Sequence, residues 1–339
     1  MNAIGVDLHK KIITVCVMDE RLSVLARGTL YCDQPEQIVE FCRKFQPFKV
    51  VVEATASYFW FLELVEPLAE KIVLANPNKL RVIAESTKKT DRLDAQVLAE
   101  FLARDMVPQA YIPTPRQRQH RALVRHRQYI RGRMSAVRCK IRRILSDYNA
   151  DRRDLFSAKF GLEYIKQVAL SDADRFVIGQ LWADYQHDDK QLDELATELR
   201  AFAKKAPHKE KEARALLKTI PGVGPVTVDV VLSELGDITR FRNAKTVCAY
   251  AGLAPVVRQS GGKKAKELAI SKQGSGLLRW ALVEASWRIV YTSPKWQRTY
   301  ERIAKRAGGK RAIVAVARKL LCVVYAMLRT MTPYKILTT

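Results

Sequence analysis

The chain has few cysteines and no pattern among them. The six (Cys16, Cys32, Cys42, Cys139, Cys248, Cys322) include no CxxC pair, and no histidine stands near them at ligand spacing. That argues against a zinc ribbon and against a disulfide framework, and leaves buried thiols in a reducing compartment. A secretory leader is not expected either, because Met1-Asn2-Ala3-Ile4-Gly5-Val6-Asp7 lacks a basic start and a long apolar run. The most apolar late segment, Ala312 to Leu328, is interrupted by Arg318-Lys319 and is too short to span a bilayer. A buried helix is expected there, and no membrane partner. The most informative scarcity is of acid: residues 106–146 contain no Asp or Glu, while Arg116, Arg118, Arg121, Arg125, Arg127, Arg131, Arg133, Arg138, Lys140, Arg142 and Arg143 crowd the stretch.

The 339 residues carry a formal net charge of +24, unevenly placed. Residues 1–112 hold 14 Lys and Arg against 15 Asp and Glu, a balance of −1, which leaves 45 against 20, or +25, for residues 113–339. A neutral first domain followed by a strongly basic remainder points to a polyanionic partner, nucleic acid in preference to a membrane surface. A solvated basic surface is the plainer alternative. The length calls for two or three domains, and the changes of character divide the chain at 1–112, 113–206 and 207–339.

Residues 3–18 alternate and then run apolar, with a polar break at His9-Lys10-Lys11, which predicts a hairpin, and a third strand follows at 23–31. Glu36 to Phe45 has helical spacing. Lys49-Val50-Val51-Val52-Glu53 is a β-branched run of the kind buried in a central strand. Tyr58 to Ala69 reads as a helix and Ile72 to Ala75 as a strand. A further helix starts near Asp91 and runs to about Arg104. Three strands followed by alternating helix and strand make an α/β unit.

Within that unit, Asp91 and Asp94 stand three residues apart, and residues at i and i+3 share one helix face. Two carboxylates converging on one point need a cation between them, and magnesium suits a set of oxygen donors. Taken alone, the pair also fits ordinary acids in a helix's first turn. Asp7 in the first strand and Glu53 at the end of the central one add two acids where strands rarely carry them. A ribonuclease H-like sheet would gather all four at one edge, where two magnesium ions can flank a scissile phosphate for in-line displacement.

Ile4-Gly5-Val6-Asp7-Leu8-His9-Lys10, Val52-Glu53-Ala54-Thr55 and Lys89-Thr90-Asp91-Arg92-Leu93-Asp94-Ala95 resemble the DEDD motifs of the insertion sequence 110-type transposases, relatives of the Piv DNA invertase. The resemblance covers nearly the whole chain. It implies a RuvC-like N-terminal domain with a catalytic, magnesium-binding set at Asp7, Glu53, Asp91 and Asp94.

Further along, Ile130, Met134, Val137, Ile141, Ile144 and Tyr148 follow a coiled-coil spacing. A second seam runs through Leu181, Tyr185, Asp188, Leu192, Leu195, Leu199 and Phe202, flawed only at Asp188. Two such helices joined by residues 149–176 would form an antiparallel hairpin or a dimerisation arm. Arg116, Arg121, Arg125, Arg131, Arg138 and Arg142 are candidates for phosphate contact, against the alternative of a solvated face. Thr219-Ile220-Pro221-Gly222-Val223-Gly224-Pro225-Val226-Thr227 looks like a helix-hairpin-helix, in which Gly222 and Gly224 let backbone amides approach a phosphate; a plain interhelical turn is the alternative. Trp280, Trp287, Tyr291, Trp296 and Tyr300 alternate with basic clusters, which fits either base stacking or aromatics in a core with cations in water.

Ser260-Gly261-Gly262, flanked by Arg258, Lys263 and Lys264, is by itself a loop pattern. In the resembling family this region carries a nucleophilic serine, and Ser260 is the matching position, with Ser271 and Ser275 nearby in sequence. No His or Asp lies beside Ser260 to act as its base, so its activation falls to the carboxylate and metal cluster, in a composite site with residues from two domains and different subunits. The family resemblance implies a transposase or site-specific recombinase that cuts and rejoins DNA through a phosphoserine intermediate. It further implies DNA donor and target, a structured noncoding guide RNA, a homo-dimer or tetramer, and a cytoplasmic, nucleoid-associated location. A RuvC-like junction resolvase using metal-activated water, with Ser260 structural, is the first rival; a non-catalytic nucleic-acid scaffold is the second.

Overall fold

The computed structural model describes residues 1–54, 57–83, 91–157, 160–258 and 266–334, with the side chains at 81–83, 91–92, 257–258 and 266–268 outside that description. The chain forms two compact units, Met1–Ile112 and Pro113–Thr339. The expected α/β first part and mostly helical remainder are both present.

In the first unit the strands β1 (Asn2–Leu8), β2 (Ile12–Met18) and β3 (Val24–Tyr31) lead to α1 (Pro35–Arg43), β4 (Phe48–Glu53), α2 (Phe59–Val65), β5 (Lys71–Ala75), α3 (Pro77–Ile83) and α4 (Asp91–Ala103). The sheet order is β3-β2-β1-β4-β5, with β1, β4 and β5 paired in parallel and β2 antiparallel to both of its neighbours, β1 and β3. β1 and β4 are apolar on both faces because helices cover both. Ile4, Val6, Val50, Val52 and Leu74 pack with Ile38 of α1 and Phe61, Leu62 and Val65 of α2. Ala3, Val51, Val73 and Ala75 meet Leu98 and Leu102 of α4 on the other face. β3 lies at the sheet edge and alternates exposed and half-buried residues, which is why its sequence signal is weaker. One expectation needs adjustment, and one helix was not anticipated. α2 stops at Val65, well short of Ala69, since Pro67 cannot continue it; and α3 carried no signal strong enough to predict.

The second unit opens with two helices of 33 residues, α5 (Pro115–Asp147) and α7 (Asp172–Lys204), joined through α6 (Gly161–Gln167). Each begins at a hydroxyl cap: Thr114 Oγ1 accepts from Gln117 N at 3.2 Å, and Ser171 Oγ accepts from Asp174 N at 3.1 Å. Their order is antiparallel, since Ile141 and Leu145 pack with Ile178 and Trp182, and Val124 and Ile130 share a cluster with Leu195 and Leu199. Asp188, the flaw in the second seam, is fully buried, with its Oδ1 2.6 Å from Arg133 Nη2 of α5 and off the line of a good hydrogen bond.

Then follow α8 (His208–Lys218), α9 (Pro225–Leu235), a short 3-10 turn (Ile238–Arg240), α10 (Ala244–Tyr250), the antiparallel pair β6 (Pro255–Arg258) and β7 (Lys266–Ile270), and three helices, α11 (Gly276–Thr292), α12 (Pro294–Ala307) and α13 (Gly309–Thr330). One core joins Val124, Ile130, Leu195 and Leu199 to α8–α13, so it runs without interruption across residues 206 and 207. Buried Val316, Leu320, Leu321 and Val324 make α13 the interior helix that its apolar run predicts. Among the described residues no helix is long and apolar enough to cross a membrane.

The cysteines are free. They are not uniformly buried as expected: Cys139 is exposed on α5, and Cys32 and Cys322 are half-buried. Cys248 Sγ lies 3.6 Å from Cys322 Sγ, and burial together with that neighbour pushes the Cys248 thiol up to about 12.

Candidate functional site

The acid set is built on the packing of α4 across the sheet. Gly5 of β1 is the crossing point, where a Cβ would lie 2.1 Å from the Ala95 carbonyl oxygen and 2.3 Å from the Ala99 amide nitrogen. Only glycine permits that approach. Side chains alternate along a strand, so Asp7 shares with Gly5 the face that α4 covers. The parallel register pairs Gly5 with Val51 and Val6 with Val52, which sets Asp7 beside Glu53 one step further on, at the C-terminal ends of both strands. Ala95 and Ala99 sit over Gly5, and Leu98 and Leu102 pack with Ala3 and Val51. α4 therefore runs opposite to β1, and its start, with Asp91 and Asp94, lies toward the end of the sheet that carries Asp7 and Glu53.

Asp7 is mostly buried, with its Oδ2 3.1 Å from His9 Nε2. Glu53 and Asp94 are half-buried, and the Asp91 side chain lies outside the described residues. Among the described residues no three His, Cys, Asp or Glu side chains converge tightly enough to hold a metal ion. What the fold brings together is thus the strand positions of Asp7 and Glu53 and the start of α4. Sequence reasoning passed over His9 as a polar break.

Most of the candidate arginines of α5 prove to have intramolecular partners. Arg116 Nε donates to Glu210 Oε2 at 2.6 Å, and its guanidinium stacks on Phe202. Arg121 donates to the carbonyls of Ser233 and Glu234 at 2.8 and 3.0 Å, closing the last turn of α9 where cations are favoured. Arg125 makes two bonds to the buried Glu234 carboxylate. Arg142 pairs with Asp151 at 2.9 Å, and Arg138 lies over the Phe156 ring. Arg131 is exposed. The run lacks acids in sequence yet recruits them from α7, α8, α9 and residue 151. Phosphate contact by Arg116, Arg121, Arg125 or Arg142 would have to displace these bonds.

A buried ionic network that the sequence did not signal lies beneath. Arg214 Nη1 donates to Asp229 Oδ1 at 2.6 Å and its Nε to Glu210 Oε1 at 2.9 Å, while His120 Nε2 is 3.0 Å from Asp229 Oδ1. Burial acts to raise the Asp229 and Glu210 carboxyls, but hydrogen bonds from His120 and Arg214 to the first, and from Arg116 and Arg214 to the second, outweigh it and hold both below their ordinary values.

The two glycines of the 219–224 turn differ. Gly222 has φ +81°, and a Cβ there would meet Arg288 Cβ of α11 at 2.6 Å; Gly224 is the α9 N-cap with φ −91° and open space around it. Gly222→Ala should therefore cost about 1–3 kcal/mol, and Gly224→Ala less, about 0.5–1 kcal/mol, the amount by which glycine outranks alanine at an N-cap. Thermal melts of the two variants check this. Equal melting temperatures would contradict the packing against α11.

Ser260, Lys263 and Lys264 fall between β6 and β7 and lie outside the described residues, as does the Arg258 side chain. Of the neighbouring serines, Ser275 is committed to capping α11, accepting from Leu278 N at 3.2 Å. The C-terminal aromatics divide between both expectations. Trp296 is buried and donates to Tyr334 Oη at 2.8 Å, while Trp280 and Tyr291 are 38% and 82% exposed.

An α/β unit that aligns an Asp and a Glu on neighbouring parallel strands, beneath a helix opening with Asp-x-x-Asp, and a basic helical unit after it are compatible with a DEDD transposase. The match is particular: residues 4–150 fit the transposase model of the DEDD, IS110 type, and residues 214–301 fit the Transposase IS116/IS110/IS902 family. The chain belongs to this insertion sequence 110-type family. Among its relatives, the transposase of insertion sequence element IS1111A from Coxiella burnetii is 26% identical over 99% of this chain and 92% of its own. The pilin gene-inverting protein of Moraxella bovis is 27% identical over 84% of this chain and 81% of its own. The transposase of IS1328 from Yersinia enterocolitica is 25% identical over 84% and 83%.

Proposed function

We propose that this chain is a DNA transposase or site-specific recombinase in which Asp7, Glu53, Asp91 and Asp94 hold magnesium, as two ions, and Ser260 is the nucleophile. The observation that carries the reading is the adjacent register of Asp7 and Glu53 on the α4 face, at the end where α4 starts. The sheet order supports a RuvC-like assignment of the first unit. An all-oxygen donor set fits magnesium, which when bound supplies charge stabilisation to phosphoryl oxygens.

In this reading the Ser260 hydroxyl oxygen forms a bond to phosphorus as the bond from phosphorus to one sugar oxygen breaks. The proton lost by serine balances the one gained by the departing sugar. Reversal with a new strand end restores a phosphodiester and releases the serine, so the bond energy is conserved. Arg258, Lys263 and Lys264 would stabilise the charge of the transferring phosphate. The turn at Gly222 and Gly224 would grip the backbone as a helix-hairpin-helix, and the α5 and α7 pair would serve as a coiled-coil arm for a dimer or tetramer. DNA is the substrate, and the resemblance adds a noncoding guide RNA. The cytoplasmic, nucleoid-associated location follows from this role.

The test is a denaturing gel of the protein co-expressed with its flanking noncoding sequence and incubated with end-labelled junction DNA and magnesium. A covalent protein–DNA band is expected from wild type and none from Ser260→Ala, with Asp7→Asn reducing its formation by at least about 100-fold, as when a transition-state stabiliser is lost. Free cleaved DNA from wild type and Ser260→Ala alike, without adduct, would make the chain a hydrolytic nuclease.

A further inference from the structure

A cavity of about 670 Å³ opens among α5, α7, α8 and the first turns of α9 and α11. Its size is that of a small-ligand pocket, for which about 300–1,000 Å³ is usual. The floor is apolar, with Val124, Leu199 and Val228 buried and Val226 and Leu277 half-buried. Trp280 forms part of the wall. The rim carries Arg127, Arg200, Lys204, Lys211 and Lys218.

These cations differ from their neighbours. Arg125 and Arg133 on the same helix as Arg127 are matched to Glu234 and Asp188, whereas among the described residues none of the five rim cations is in an ion pair. The one acid among the described lining residues, Asp229, is already held by Arg214 and His120. Burial, aided by the charge of Arg131 and opposed by that of Asp229, lowers Arg127 below its ordinary value. At the same rim Pro225 and Val226 begin α9, whose cap residue Gly224 offers no side-chain acceptor to the first-turn amides. Those amides and the helix dipole add further pull on an anion.

A free phosphate would satisfy the rim and leave the apolar floor wet. A wholly apolar ligand would do the reverse. A flat, weakly polar ring carrying a phosphate satisfies both. We propose that this cavity receives one unpaired nucleotide turned out of a nucleic-acid strand, its base against Trp280 and the apolar floor and its phosphate at the Lys211, Lys218 and α9 rim. This rests on the reading of the chain as a nucleic-acid recombinase, in which strand separation would leave unpaired bases. A pocket that holds a base recovers part of its unstacking cost.

The test uses the full chain and fluorescence anisotropy with labelled single strands: oligothymidylate, oligouridylate, and a strand of the same length made entirely of abasic sites. Trp280→Ala should weaken binding of the base-containing strand by about 5- to 150-fold, the worth of one base–aromatic stack, and leave the abasic strand unchanged. Ala215→Trp, which plugs the cavity from an exposed lining position, should act alike without disturbing the core. Should Trp280→Ala fail to fold, Ala215→Trp carries the comparison. A response confined to the thymidylate strand assigns the pocket to DNA, one confined to the uridylate strand assigns it to RNA, and either supports the proposal. Wild-type affinity in Ala215→Trp, or an equal loss on base-containing and abasic strands, overturns it. Failure of the catalytic reading would appear in the covalent-adduct gel and leave these affinity ratios untouched.

Discussion

Gly5→Ala should lower the melting temperature of the protein's first unit by on the order of 10 °C and remove recombination with it. The added Cβ would sit 2.1 Å from the Ala95 carbonyl oxygen and 2.3 Å from the Ala99 amide nitrogen. Both are backbone atoms of α4, so no rotamer change relieves the overlap, and the helix must retreat by roughly 1 Å. Overpacking of this kind costs about 1–3 kcal/mol, and a backbone clash belongs at the upper end. For a domain of about this size each kcal/mol is worth roughly 4–8 °C. The activity loss has a separate cause. In the proposed reading, with the four acids catalytic, Asp94 adjoins Ala95, so retreat of α4 shifts its acids away from Asp7 and Glu53, and a misplacement of about 1 Å can cost on the order of 100-fold in rate. Gly28→Ala on β3 is the control, because its Cβ would meet only the Phe41 and Val15 side chains at 3.5 Å, an ordinary contact. Equal melting temperatures for the two variants would refute the close crossing of α4 over β1.

Arg214→Met should destabilise the second unit by about 3–5 kcal/mol, the usual cost of stripping a buried carboxylate of its partner. Arg214 is 8% exposed and bonds both Asp229 and Glu210. Glu210 keeps Arg116, but Asp229 is left with His120 alone. Adding Asp229→Leu should recover most of the loss, since the uncompensated charge is then gone. The pH dependence carries a definite sign. In wild type both carboxyls are held below their ordinary values, so their contribution to stability is present above about pH 4, where the unfolded groups titrate, and is lost as pH falls through the lower folded values. In Arg214→Met, burial without the arginine raises the Asp229 carboxyl, and protonation then relieves the folded state. The stability gap between wild type and variant should therefore narrow as pH falls toward 4. Urea melts across that range measure it, and a gap that stays constant or widens would show that Asp229 is not the group left uncompensated.

The first unit was largely legible in the sequence, because its strands are short β-branched runs and its acids interrupt them at Asp7 and Glu53. What the sequence did not reveal is how α4 crosses so close over β1, which the missing Cβ of Gly5 allows. In the second unit the two long helices and the buried α13 were legible from their periodicity. The fate of the α5 arginines was not. Asp151, the partner of Arg142, stands 9 positions away and Glu234, the partner of Arg125, stands 109 away, and charge counted along the chain is blind to such distances.

By itself, then, the sequence determined the family, the split between a neutral α/β part and a basic helical part, and which four carboxylates and which serine to examine, because local pattern and motif spacing are properties of neighbouring residues. Only tertiary structure decided which cations are spent on internal acids and which, at Arg127, Lys211 and Lys218, are in no ion pair among the described residues and stand around a cavity with an aromatic wall. Ion pairing and cavity shape depend on residues far apart in the chain, and folding alone brings them within a few ångströms.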